Sequence, residues 1–250
     1  MASTEFKRTY FDTALGYVWT VARPLLLFGV LLLVFTQAFH VSAQVPHYPV
    51  LLLFNLTLFG LFQEATTTAV PSIVSQESIV RKTQFPRLVI PLAVVLTALF
   101  NFALSLFVAF IFILAFGITP MWTWLLIPVI VLLIGVLAVA MAMILSSLYP
   151  RFRDLGIIWG VAVTTLFYAT PVLYAVNNVS PTLQRIVSIN PLTPILEEAR
   201  RWVIDPNAPS PASVAGGAWR LLIPIAIYIG VCALAVWIFQ REAPRVAESL

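Results

Sequence analysis

Two ionisable residues, Arg23 and Glu64, stand inside long apolar runs, where a charge costs about 2.5 to 3.5 kcal/mol at the centre of a membrane helix. Each lies about seven residues, roughly 10 Å, from the inner end of its run, so the two reach the same depth. Two chemistries fit them. They pair, within one chain or across a subunit interface, or Arg23 reaches the headgroup layer and contacts a phosphate of the cargo through charge-assisted hydrogen bonds. A second cluster, Ser75-Gln76-Glu77-Ser78-Ile79-Val80-Arg81-Lys82, runs on to Arg87 and interrupts two apolar runs. Ser75 as N-cap, Glu77 in the first turn, and Arg81 and Lys82 in the last would complement the dipole of a short helix, which Phe85-Pro86 then stops. A rigid surface helix between two spans suits a push from a soluble motor; an ordinary solvated loop has the same composition. The third set is aromatic: Tyr17, Trp19, Phe28, Phe35, Phe39, Phe54, Phe59, Phe62, Tyr168 and Tyr174 either stack on sugars in a passage or face lipid and pack between helices.

Catalytic and metal chemistry find little support. His40 and His47 have no third ligand nearby, and the single Cys232 lies in the last apolar run, which leaves neither a metal site nor a disulfide framework. A P-loop needs Gly-Lys, whereas the only lysines, Lys7 and Lys82, follow Phe6 and Arg81. No cofactor is therefore expected on this chain, and any ATP and Mg belong to a separate ATPase. Asp12, Glu77, Asp154 and Glu242 are scattered over separate segments and form no acid-base site. So few buried charges offer no proton or sodium relay either.

The elements that position these residues follow from composition. With 61% hydrophobic and 10% charged residues and a mean hydropathy of +0.99, most of the 250 residues require lipid as solvent. The net charge of +4 is spread over loops beside apolar runs, an orientation signal rather than a nucleic-acid patch. Six runs of about 20 residues or more are expected to span, at 16–39, 50–71, 88–117, 124–148, 155–176 and 219–239. The first outlasts a signal-peptide core, so the Val41-Ser42-Ala43 triplet is not expected to be cleaved. Lys7, Arg8, Arg81, Lys82, Arg87, Arg151, Arg153, Arg241 and Arg245 flank one side, against Arg185, Arg200, Arg201 and Arg220 on the other, which places both termini in the cytosol. Residues 1–15 precede this single transmembrane domain, 16–250, as an amphipathic interface helix with Phe6, Tyr10 and Ala14 on one face and Lys7, Arg8 and Asp12 on the other. Gly156 and Gly160 form a GxxxG that predicts a close helix contact on the fifth span.

Between the last two spans, 177–218 is too long to be structureless. A short amphipathic piece over 181–189 carries Leu183 and Ile186. A longer one starts at Thr193-Pro194, lines one face with Ile195, Leu196 and Trp202, sets Glu197-Glu198 before Arg200-Arg201 as the dipole prefers, and ends at Asp205-Pro206. Both are too short to span, which suggests outer re-entrant or gate helices over 181–204. The tract 206–217 reads as a linker.

Several stretches, in this order and spacing, resemble the permease subunit of ABC-2-type polysaccharide exporters, which move O-antigen, teichoic acid and related lipid-linked glycans. They are Leu15-Gly16-Tyr17-Val18-Trp19 with Pro24-Leu25, Arg81-Lys82 with Phe85-Pro86-Arg87 and Pro91, Arg153-Asp154-Leu155, Thr170-Pro171-Val172 with Tyr174, and Asn190-Pro191-Leu192. Arg23 departs from the uncharged residue expected before the proline. The resemblance implies a homodimer in a bacterial or archaeal plasma membrane, working with two copies of a cytosolic ABC ATPase and passing a polyprenyl-pyrophosphate-linked glycan outward between the protomers. It further implies coupling through 75–82, a gate at 181–204, and Lys7, Arg8 and Arg23 as pyrophosphate contacts. The alternatives are an ABC-2 exporter of a drug, antibiotic or lipid, a membrane enzyme acting on polyprenyl substrates, and a passive channel.

Overall fold

The computed structural model describes residues 18–37, 45–76 and 87–249, and among these the chain is helical, with no strand. Its organising element is α2, Tyr48–Ala69, whose side chains are buried almost throughout. Three hydroxyls let this helix carry polar residues through an apolar setting, because each donates to a carbonyl four residues back: Thr57 to Leu53, Thr66 to Phe62 and Thr68 to Glu64. Around it pack α1, Val18–Gln37, α4, Val89–Ala115, and α5, Ile127–Leu148, with α6, Leu155–Ala169, along one side. The last helix, α10, Leu222–Ser249, lies on α5, where the Tyr228 hydroxyl donates to the Leu133 carbonyl at 2.8 Å. Lipid tails are as apolar as leucine, so these contacts gain mainly from close packing and interhelical hydrogen bonds. α10 leaves most of its surface to the surroundings.

Among the described residues, four helical stretches are long and apolar enough to cross a membrane: Tyr48–Ala69, Val89–Ala115, Trp122–Leu148 and Ala218–Glu242. The apolar parts of the two others, Ala22–Gln37 and Leu155–Ala169, are shorter. Most of the expected runs coincide with helices of the described residues to within about three residues, and the fifth differs. The fifth run, expected to 176, ends as helix at Ala169, because Pro171 forces Thr170 into an extended conformation. At about 1.5 Å per residue α6 is then roughly 22 Å long, short of a hydrocarbon core of about 30 Å. Beyond Ala169 the backbone is irregular and buried in protein. The Asn55 amide donates to the Pro171 carbonyl at 2.9 Å and the Tyr48 hydroxyl to the Leu173 carbonyl at 2.8 Å, so α2 satisfies groups that lipid could not. The sixth run, expected to span over 219–239, lies within a helix that continues to Ser249.

Pro24 sits inside α1 and cannot donate to the carbonyl of residue 20, which loosens the helix beside Arg23. At the far end of α4, Gly117 takes a φ of 79°, a left-handed conformation open to glycine at little cost, and turns the chain into a 3₁₀ turn, Trp122–Leu126, that leads into α5.

After Pro71 the chain makes one turn, α3, Ser72–Ser75, which Ser75 closes by donating its hydroxyl to the Ser72 carbonyl at 3.0 Å. Ser72 and Ile73 are buried, and α3 packs against α4 and α5. Gln76 is the C-cap; Glu77, Ser78, Ile79, Val80, Arg81 and Lys82 lie outside the described residues, as do the amphipathic stretch 1–15 with Lys7 and Arg8, and Tyr17 and Phe39.

On the opposite end, the segment after α6 forms α7, Pro181–Val187, capped by the Ser180 hydroxyl accepting from the Leu183 N–H, and α8, Leu192–Val203. α8 begins at Leu192 rather than Thr193-Pro194, because the Asn190 side chain accepts from the Leu192 N–H at 3.0 Å while Thr193 donates its hydroxyl back to Val187. The expected linker holds a further short helix, α9, Pro211–Ala215.

Candidate functional site

Arg23 and Glu64 line one cavity of about 520 Å³ between α1, α2 and α4, closed on one side by Phe167 of α6. Asn101, supplied by α4 and only 4% exposed, belongs to the same wall. Its amide nitrogen donates to one oxygen of Glu64, while its own oxygen has no partner. Arg23 acts on Glu64 electrostatically across the cavity, yet the two are not among the ion pairs of the described residues. In the single chain it is therefore Asn101 that occupies the carboxyl group. Sequence reasoning passed over Asn101, although an amide in the middle of an apolar run of helical length is a signal in itself. Trp19, Gln63, Thr67 and Ser105 complete the polar and aromatic wall.

A second cleft, about 650 Å³, lies between α4 and α5 and is lined only by apolar residues and glycine, among them Leu99, Leu106 and Val131. Phe102 belongs to both walls. Neither space has the makings of a metal centre, and no group of three or more His, Cys, Asp or Glu side chains assembles among the described residues.

The expected aromatics separate. Trp19 is exposed and Phe59 lines the polar cavity, packing edge-on against Phe167 at 5.4 Å between ring centres. Phe28 meets Phe112 edge-on at 5.4 Å, Phe62 meets Trp159, and Phe54 is enclosed, so these three are taken up by packing within the protomer. Phe35 lies against Tyr48, Tyr174 is half-buried, and Tyr168 is largely exposed. The GxxxG pair is asymmetric: a Cβ on Gly156 would meet the Tyr149 ring at 3.4 Å, whereas one on Gly160 would meet nothing within 4 Å.

The outer helices divide in the same way. Leu183 and Ile186 on α7 are exposed, while Ile195 and Leu196 on α8 are buried. Trp202, partly buried, gives its backbone carbonyl to the Thr123 hydroxyl, and the Trp124 ring nitrogen donates to the Val203 carbonyl at 3.2 Å. Helix-dipole placement accounted for Glu197 and Arg200 in sequence; in the fold both are buried, 3.7 Å apart, with the Arg200 guanidinium also donating to the Asn177 side chain at 3.2 Å. Burial raises the Glu197 carboxyl to about 7, outweighing the opposing pull of Arg200 and of the Val176 N–H.

The Asn190-Pro191-Leu192 turn docks directly on the break after α6. The Asn190 amide donates to the Thr170 hydroxyl at 2.7 Å, and that hydroxyl donates to the Leu166 carbonyl at 2.6 Å. Two stretches 20 residues apart, each with a proline, thus form one hydrogen-bonded corner.

The chain that forms this bundle of apolar helices, with a polar cavity inside and a buried polar corner at one end, has relatives in sequence. The model of the ABC-2 type transporter membrane family matches residues 1–202. An O-antigen export system permease protein, RfbA, of Klebsiella pneumoniae is 31% identical over 197 residues, 78% of this chain and 75% of the relative. The RfbA permease of Myxococcus xanthus is 28% identical over 252 aligned positions, covering 100% of this chain and 94% of its own. A family match over four fifths of the sequence and a relative above 30% identity lead to one conclusion: the chain belongs to the ABC-2 type transporter family.

Proposed function

We propose that this chain is the membrane half of an ATP-driven exporter that carries a polyprenyl-pyrophosphate-linked polysaccharide from the cytosol to the outer face of the plasma membrane. The observation that carries the reading is the similarity to O-antigen export permeases, which for one relative extends over the whole chain. Two copies of the chain would flank the glycan's path, each served by one copy of a separate cytosolic ABC ATPase that holds the ATP and Mg. Six membrane passages, with α1 and the broken α6 as the two shorter ones, keep both termini on the cytosolic side, in line with the distribution of basic residues.

Closure of the ATPase pair on ATP would push the segment 75–87. The turn that leads into it, α3, packs on α4 and α5 with Ser72 and Ile73 buried, so displacement there would be transmitted to two long helices rather than absorbed in a loop. At the outer end α7 and α8 act as the gate. α8 is the fixed part, tied to Thr123 and Trp124, and α7, with Leu183 and Ile186 exposed, is the part free to move. Lys7 and Arg8 supply charge-assisted hydrogen bonds for the pyrophosphate. Arg23, expected beside them, shares its cavity with Glu64 and Asn101, and the three together favour a different ligand group.

The test is co-purification of an ABC ATPase with the tagged chain, followed by ATPase measurement in proteoliposomes. Polyprenyl-pyrophosphate-linked oligosaccharide is expected to stimulate hydrolysis several-fold, and amphiphilic drugs are not. Stimulation by drugs or plain phospholipid alone would assign the chain to a different cargo, and failure to recruit any ATPase would remove it from ATP-driven transport.

A further inference from the structure

We propose that the cavity formed by Arg23, Glu64 and Asn101 is a saccharide station inside the membrane domain, selecting sugar hydroxyls over the phosphates of a lipid carrier. The inference deepens the export reading and rests on it.

The argument starts from Asn101. With its nitrogen committed to Glu64, its side-chain oxygen is the remaining acceptor; that atom is buried and has no hydrogen bond, on a residue that lines the cavity. A buried acceptor without a partner costs about 1–3 kcal/mol until a donor reaches it. Glu64 adds further acceptor capacity beside it, and among the described residues the carboxyl's hydrogen bond is the one from Asn101. Two neighbouring acceptors call for a ligand with neighbouring donors. Adjacent hydroxyls of a pyranose provide these, whereas a diphosphate offers only further acceptors and a negative charge facing Glu64.

Arg23 sets the electrostatics. Among the described residues it is the one basic residue lining the cavity and shares the wall with the acid Glu64, so the cluster of positive charge that would draw a diphosphate out of water is not assembled there. The five guanidinium donors instead suit the oxygens of a sugar, leaving its hydroxyl protons for Glu64 and Asn101. Trp19, exposed on α1, brings aromatic surface to the same space, the kind of face against which the C–H side of a sugar ring packs. The volume, about 520 Å³, falls within the range of about 300–1,000 Å³ usual for small-ligand sites. Glu64 lies about 8 Å before the inner end of α2 at Ala69, within the depth an incoming glycan crosses first.

Two synthetic amphiphiles with one shared farnesyl tail test the proposal, one ending in a disaccharide on a neutral ether link, the other in a diphosphate without sugar. Their binding is measured to the complex of this chain and its ATPase in lipid nanodiscs. Glu64→Gln and Asn101→Leu are each expected to weaken the disaccharide probe at least five-fold and to leave the diphosphate probe within two-fold. Thermal melting of the nanodisc-embedded variants checks folding. Glu64→Gln retains a side chain able to accept from Asn101, and it decides alone if Asn101→Leu does not fold. Equal loss of both probes, loss confined to the diphosphate probe, or unchanged binding of both overturns the station. A parent complex that stimulates hydrolysis with lipid-linked oligosaccharide but shows these outcomes loses only the station; a parent that binds neither probe and is not stimulated loses the export reading as well.

Discussion

Burial converts Glu197 from a surface carboxylate into a group poised near neutrality. Its charged form is opposed by desolvation and supported by Arg200 and the Val176 N–H, and desolvation wins, so its folded value of about 7 stands above its ordinary 4.5. The folded chain therefore holds this proton more tightly than the unfolded one. The associated stability is fully present below about pH 4.5 and is lost as pH rises through about 7. Arg200 and Tyr174 are the charged and titratable neighbours that act on it. Amide hydrogen exchange in α8, corrected for intrinsic pH dependence, is expected to be several-fold slower at pH 5.5 than at pH 8. Glu197→Gln should flatten that difference, and an unchanged profile in the variant would assign the pH response elsewhere. Glu198 and Arg201 form the contrasting pair, partly exposed at 3.3 Å, and pairs of this kind contribute at most about 0.5 kcal/mol.

At the scale of elements, the broken end of α6 shows how a proline is accommodated at membrane depth. Pro171 frees carbonyls that lipid cannot satisfy, and α2 meets them with Asn55 and Tyr48, both buried. Asn55→Ala removes a buried donor and leaves the Pro171 carbonyl unpaired, which should cost about 1–3 kcal/mol; Tyr48→Phe should cost about 1 kcal/mol, its ring still packed against Phe35. Reversible unfolding in mixed micelles measures both, and a neutral Asn55→Ala would mean that another donor takes its place. The same corner shows where sequence reading stops. Thr170-Pro171-Val172 and Asn190-Pro191-Leu192 were each visible as short stretches, but that Asn190 donates to Thr170 is decided by the path of the chain between them.

For the whole molecule, the proposed export function turns on how force from a partner ATPase would reach the spans. The helix α3 ends at Ser75 with its other face on α4 and α5, so the segment beyond Ser75 is anchored to a buried support. Reversing the charges of Glu77 and Arg81 singly is expected to leave membrane insertion intact and to lower glycan export at least ten-fold while ATP hydrolysis persists. Export and hydrolysis assayed in the same proteoliposomes check this, and unchanged export would remove the segment from the coupling path. The apolar faces of α1, α6 and α10, with Leu26, Ile157 and Ile229 more than half exposed, are the surfaces left to lipid or to a second copy of the chain.

Hydropathy, run length and loop charge by themselves determined that this is a helical membrane protein, and ordered short motifs pointed to its family, because the demand that every backbone group in lipid be satisfied leaves few architectures and writes them into composition. They also marked Arg23 and Glu64, since charge in an apolar run is conspicuous. Tertiary structure alone decided that Asn101, on a helix 37 residues away in sequence, takes the Glu64 carboxyl, that Glu197 and Arg200 are buried, and that Phe54 and Phe62 belong to the core. Each of these depends on which helix faces of near-uniform hydrophobicity turn toward one another, and a pattern apolar on every side carries no record of that choice.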